Sequence, residues 1–190
     1  MNTAKEATMR DRWSNPSVAL HWLAATLLVG LATAGFVMTD LPADSSWRLL
    51  ISRLHTLGGV TLMGLTVVRL IVRLRGPAVT PLPVSALHRR GVGVIHALLY
   101  AVTFAIGTSG FLTGARSAWP DYLLGRLAKA PALGELLSRE AHELLVLTLL
   151  GLVVLHVGGV MVQQVRQGGV LGRMVPFLGG ESPRRERDVP

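Results

Sequence analysis

Cysteine is absent from the 190 residues. That excludes disulfides, thiolate-held iron–sulfur clusters, Cys-ligated zinc and covalent haem attachment through C-x-x-C-H. Charge is scarce too: Asp, Glu, Lys and Arg make up 16% of the chain, against about 25% in an ordinary soluble domain. Acidic residues are the scarcest, 11 against 19 Lys and Arg, which leaves a net charge of +8. What is abundant is apolar: half of the residues are hydrophobic and the mean hydropathy is +0.47. This is the composition of an integral membrane protein rather than of a soluble core and shell. A pI near 11.4 would point a soluble protein toward nucleic acid. Here the basic residues sit between apolar runs, where they set topology, and no nucleic-acid partner is expected.

Four runs are candidates to cross a bilayer. Val18 to Met38 is uncharged over 21 residues and follows Asn15-Pro16, a cap residue and a first-turn proline. The second run starts in a polar loop near Trp47 and continues through Leu57 to Val72; its uncharged part, Thr56 to Val68, is followed by Arg69 and Arg73, which can snorkel. Gly91 to Gly114 and Leu144 to Val165 are the third and fourth. The expected fold class is all-α, an integral membrane four-helix bundle with spans at about 17–38, 54–73, 91–113 and 143–165. It forms one domain over residues 1–176, with a polar, disordered tail at 177–190. Gly76-Pro77 through Pro81 and Pro83 reads as a stiffened loop, not a domain boundary. Ala32-Thr33-Ala34 resembles a signal-peptidase site, but His21-Trp22 inside the run favours a retained helix. Thirteen basic residues fall on the side of the termini and the 2–3 connection and six on the other, so both termini are expected to be cytoplasmic.

Four of the six histidines, His21, His55, His142 and His156, lie in or at the edges of these runs. An ionisable side chain in hydrocarbon is costly and marks a functional site by default. The interval from His142 to His156 is close to four whole turns, so both face one way at levels roughly 21 Å apart. In an antiparallel bundle His21 shares the level of His156, and His55 shares that of His142. Two imidazoles from opposed helices suit the six-coordinate iron of haem b, whereas zinc usually takes three or four ligands at one level. Arg69 follows His55 by the same interval and reaches the inner level, where a haem propionate needs a cation. Gly35 follows His21 by that interval too and reaches the outer level, where a flat macrocycle approaches the backbone; Gly58-Gly59 and Gly158-Gly159 fit the same need. His96 lies near the inner level as a third imidazole, suited to bond a propionate or a quinone carbonyl. A transport relay built of the same His and Arg residues is the competing reading, although no internal repeat or broken span accompanies them.

The ordered set Arg12-Trp13, Leu20-His21-Trp22, Arg53-Leu54-His55, Val67-Val68-Arg69-Leu70 with Arg73-Leu74, His96 with Tyr100, Ala141-His142-Glu143 and Leu155-His156 resembles the bacterial cytochrome b561 family over residues 12 to about 176. The resemblance implies a multi-pass protein of the bacterial inner membrane that holds two non-covalent haems b and exchanges electrons with the quinone pool. It puts His21 with His156 and His55 with His142 as axial ligands. It also implies an oxidoreductase role, as superoxide:ubiquinone oxidoreductase or with another periplasmic redox partner, or as the anchoring cytochrome subunit of a dehydrogenase or hydrogenase. Arg53, Arg116 and Arg139 near the outer ligands would steer a small anion, against Asp40, Asp44, Asp121, Glu135 and Glu140 in the same loops. Glu143, next to His142, is either an orienting or proton-relaying group or a first-turn acid favoured by the helix dipole. Trp119-Pro120 reads as an interfacial aromatic anchor.

The charge asymmetry makes a direct prediction. A fluorescent-protein fusion after Gln167 is expected to fluoresce in bacterial cells, and an alkaline phosphatase fusion at the same point to be inactive, with the reverse for fusions in the 115–141 loop.

Overall fold

The computed structural model describes residues 12–76, 79–80 and 84–175. Lys5 and Arg10 of the basic N-terminus, the prolines Pro77, Pro81 and Pro83, and the tail 177–190 lie outside the described residues. Four long helices, α1 (Asn15–Asp40), α2 (Ser46–Arg75), α3 (Ala86–Ala115) and α5 (Leu137–Gln167), carry the four apolar runs; a short α4 (Trp119–Leu123) and a 3-10 turn (Leu171–Arg173) are the other helical elements among the described residues. Each long helix exceeds the run that announced it. α2 starts at Ser46 rather than near residue 54, because hydropathy registers only the hydrocarbon-embedded part, while intrahelical hydrogen bonds continue into the interface. Ser14, not Asn15, caps α1, its hydroxyl accepting the Ser17 amide at 3.4 Å, and the Ser85 hydroxyl accepts the His88 amide at the start of α3. Arg73 and Arg75 end α2 and Arg166 ends α5, where cations favour the helix dipole.

All four helices are long and apolar enough to cross a bilayer, yet only 6–11% of each apolar window is buried within the protein. Leu57, Val60, Val154 and Val165 are among the many large apolar side chains on the outside, a surface that only hydrocarbon solvates well. Besides a few apolar residues such as Leu62 and Leu149, the buried positions are mostly small and polar: Ser52, Thr66, Thr103, Ser109, Thr113 and Ser138. Lipid tails are as apolar as leucine, so helices in a membrane associate through close packing of small residues and hydrogen bonds. Thr113 and Ser138 provide one such bond between α3 and α5, at 3.0 Å. Thr66 and Thr103 return their protons to the carbonyls of Leu62 and Leu99 in the preceding turn.

Packing divides the bundle into two close helix pairs, α1 with α2 and α3 with α5, while α2 and α3 approach each other much less. Their contact includes Gly107, where a Cβ would collide with the Met63 side chain. The end that carries α4 is called outer here. There the Trp119 indole donates to Thr56 Oγ1 at 3.2 Å and Arg53 Nε to the Leu123 carbonyl at 2.7 Å, which folds the loop onto α2 around the fully buried Tyr122. Trp119 thus spends its indole proton on α2, not on the membrane interface. At the inner end, Gly168 and Gly169 (φ +69° and +72°) turn the chain after α5, and Met174 accepts the Trp22 indole proton at 2.7 Å.

Ser52 is fully buried, so Ser52→Leu must overfill the α1–α2 seam and is expected to cost about 1–3 kcal/mol. Thermal unfolding in detergent should show a clearly lower midpoint for Ser52→Leu and a nearly unchanged one for Ser52→Ala.

Candidate functional site in two histidine layers

The paired histidines meet across the gap between the two helix pairs, at two levels. At the outer level, His55 of α2 faces His142 of α5 with ring centres 6.3 Å apart; at the inner level, His21 of α1 faces His156 of α5 at 6.5 Å. With a ligating nitrogen about 2 Å from a metal and the ring centre about 1 Å behind it, two imidazoles on opposite faces of one ion stand about 6 Å apart. Both pairs have that spacing. His96 lies 5.1 Å from His156, which is too close for opposite faces of one metal.

The outer pair is held by one device used twice. His55 Nδ1 lies 3.1 Å from the Leu31 carbonyl of α1, and His142 Nδ1 lies 3.1 Å from the Ile106 carbonyl of α3. A carbonyl only accepts, so Nδ1 carries the ring proton in both and Nε2 keeps its lone pair for a metal. One turn beyond each carbonyl stands a glycine that makes room for the ring: a Cβ on Gly35 would lie 3.4 Å from His55 Cε1, and one on Gly110 3.2 Å from His142 Cε1. Ser109 adds an acceptor 3.1 Å from His142 Nδ1 and passes its own proton to the Ile106 carbonyl at 2.9 Å. The room that Gly35 leaves thus admits the His55 imidazole. Gly58 packs against Leu31, while Gly59, Gly158 and Gly159 have open space beside them. Gly110 escaped the reading of the sequence, although it follows His96 by the interval that singled out Gly35.

At the inner level, Arg69 reaches His21, its guanidinium 2.8 Å from Nδ1. A guanidinium only donates, so Nδ1 accepts and the proton of neutral His21 sits on Nε2. Arg69 also stands over the Tyr100 ring at 5.4 Å, and Arg73 lies 6.0 Å from Tyr100 and 5.7 Å from Trp13. The Tyr100 hydroxyl is buried and has no hydrogen-bond partner among the described residues. Two cations and an unused donor form a place for a carboxylate. Arg69 was legible in the sequence for this purpose; Arg73 and Tyr100 join it only through the packing of α2 on α3.

The residues therefore fit haem b. The outer pair presents free Nε2 lone pairs as it stands, and the inner pair has the spacing together with cationic groups for propionates. Of the three outer arginines expected to steer an anion, two are committed: Arg53 is bonded to the loop and Arg139 pairs with Glu143 at 2.5 Å, while Arg116 at the end of α3 is exposed. Glu143 is accordingly a salt-bridge partner on its own helix face. Arg48 and Arg139, with Glu140 and Glu143, line an outer cavity of about 250 Å³.

A family model described as prokaryotic cytochrome b561 matches residues 12–177. Cytochrome b561 homolog 2 of Escherichia coli (strain K12) is 33% identical over 116 residues, 60% of this chain and 62% of that protein, so the match spans less than two thirds of the relative's length. No solved structure gives a significant match.

Because Arg53 is the charged donor that ties Leu123 to α2, Arg53→Ala should loosen α4. Hydrogen–deuterium exchange of residues 121–126 is expected to be roughly tenfold faster in the variant, the loss of one charge-assisted hydrogen bond, with the amides of α3 and α5 unchanged.

Proposed function

Since this chain belongs to the prokaryotic cytochrome b561 family, and so is a multi-pass inner-membrane protein of haem b electron transfer, we propose that it holds two haems b, one per histidine layer, and exchanges electrons with the membrane quinone pool. The observation that carries this is the pair of ring separations, 6.3 and 6.5 Å, in two layers of an otherwise apolar bundle. His55 and His142 would hold the outer haem iron and His21 and His156 the inner one, and both termini face the cytoplasm.

Haem b, when bound, supplies a one-electron iron couple. The chain's own residues do the rest. Leu31 and Ile106 fix the tautomers of His55 and His142 and raise their basicity through the Nδ1 proton. Arg69 has two uses that exclude each other: it donates to His21 Nδ1, and by giving up that bond it frees both the Nε2 lone pair of His21 and its own guanidinium for a propionate. Arg73 and Tyr100 complete the carboxylate site. Superoxide as electron donor at the outer end is supported by Arg48, which lines the outer cavity with Arg139 and whose buried Nε has no hydrogen-bond partner among the described residues. The pairing of Arg139 with Glu143, and of Arg48 Nη1 with the Leu41 carbonyl, weakens that attraction.

The test is a reduced-minus-oxidised spectrum of detergent-purified protein with a pyridine haemochromogen count. Two low-spin b haems per chain are expected, with His55→Ala and His156→Ala each removing or converting one of them. Ubiquinone should reoxidise the reduced protein, and superoxide should reduce the oxidised one, more slowly in Arg48→Gln. A folded, monodisperse protein without haem would overturn the proposal.

A further inference from the structure

The register of the outer layer recurs at the inner one, about four turns along each helix, with the glycine of each pair replaced by histidine and, in the α1–α2 pair, the histidine replaced by arginine. In α3, Ile106 and Gly110 receive His142; one such interval earlier stand Val92 and His96, and His156 follows His142 by the same interval. The α1–α2 pair repeats the relation, with Gly35 against His55 at the outer level and His21 against Arg69 at the inner. Were the inner layer a copy of the outer, residue 96 would be glycine and His156 would bond the Val92 carbonyl directly. Instead His96 fills the glycine position and takes that carbonyl itself, its Nδ1 2.8 Å from Val92 O. The proton of His96 therefore sits on Nδ1, and Nε2 is left as an acceptor.

Two further observations say what that acceptor faces. The rings of His96 and His156 stand at 72° with centres 5.1 Å apart, a separation that admits an N–H···N bond once the His156 ring turns its Nδ1 toward His96 Nε2. His156 is also the one member of the two pairs with no hydrogen bond among the described residues, whereas His21, His55 and His142 each have one.

We infer that His96 is a positioning residue for His156, its Nε2 accepting the Nδ1 proton so that the Val92 carbonyl, His96 and His156 form one hydrogen-bonded line that ends at the lone pair of His156 Nε2. The inference rests on the reading of His156 as an axial ligand. The outer layer ties its ligands to backbone carbonyls, and the inner layer does so through an inserted imidazole. An acceptor on Nδ1 makes a ligating imidazole more electron-rich and favours the oxidised metal. His96 thereby holds down the reduction potential of the inner haem without touching that of the outer one.

Redox titration and low-temperature electron paramagnetic resonance of the purified haem-loaded protein, wild type against His96→Leu and His96→Gln, test this. His96→Leu is expected to shift the inner haem toward the reduced form about tenfold, an upward move of 59 mV for one electron, with a changed low-spin signal for that haem alone. His96→Gln keeps an acceptor and should restore most of both, and it serves in place of the Leu variant if that protein does not fold. Two haems in the wild type with an unmoved inner potential and signal in both variants would overturn the role of His96 and leave the haem assignment standing. A wild type without haem would overturn the assignment itself. Loss of the inner low-spin signal in His96→Leu and its retention in His21→Ala would make His96 the ligand and overturn the inference.

Discussion

An imidazole in hydrocarbon must find a partner for its ring nitrogens inside the protein, because lipid offers none. The rest of the arrangement depends on that constraint. Each paired histidine projects from its helix onto the neighbouring one, and for His55 and His142 the partner is a backbone carbonyl of that neighbour. A helical carbonyl can accept a second bond only if the ring comes close to the backbone, and a glycine one turn further on permits the approach. Tautomer, ring orientation and helix–helix distance are thus fixed together. The lone pair that remains on each Nε2 is a by-product of satisfying Nδ1.

The same constraint accounts for the division of the bundle into α1–α2 and α3–α5 pairs. Within a pair, small side chains and hydroxyl groups allow close contact; between the pairs the imidazoles meet at the spacing a shared metal requires. A bundle packed evenly on all sides would have closed that gap. Uniform helix–helix affinity is not available in a membrane, where packing follows the placement of serine, threonine and glycine rather than apolar area. Ser52, Thr66, Ser109 and Thr113 are buried, and most of the large aliphatic residues are left to the lipid.

The inner and outer layers differ in what they add to this plan. The outer layer is symmetric, glycine and histidine from each helix pair. The inner layer keeps the register and replaces one glycine by His21 and the other by His96, and one histidine by Arg69. These replacements bring polar groups that need partners, and the partners lie within the layer: Arg69 on His21, and His96 beside His156. The inner end is therefore the more polar of the two, with Arg73, Tyr100 and Trp13 grouped around it.

Much of this was legible in the sequence, and the reason is geometric. Hydropathy over four runs and a recurring whole-turn interval along a helix are one-dimensional properties, so spans, faces and levels of His21, His55, His142, His156 and Arg69 follow from counting. What sits against what in the third dimension does not. That Gly35 makes room for His55, that Gly110 does the same for His142, that Trp119 and Arg53 fasten a loop, and that Arg139 is bound to Glu143 are all outcomes of which helix faces which. The bundle and the levels of its histidines are therefore properties of the linear chain. The partners of each ring nitrogen belong to the folded molecule alone, because a hydrogen bond between helices depends on ångström-scale approach, which spacing along one helix does not encode.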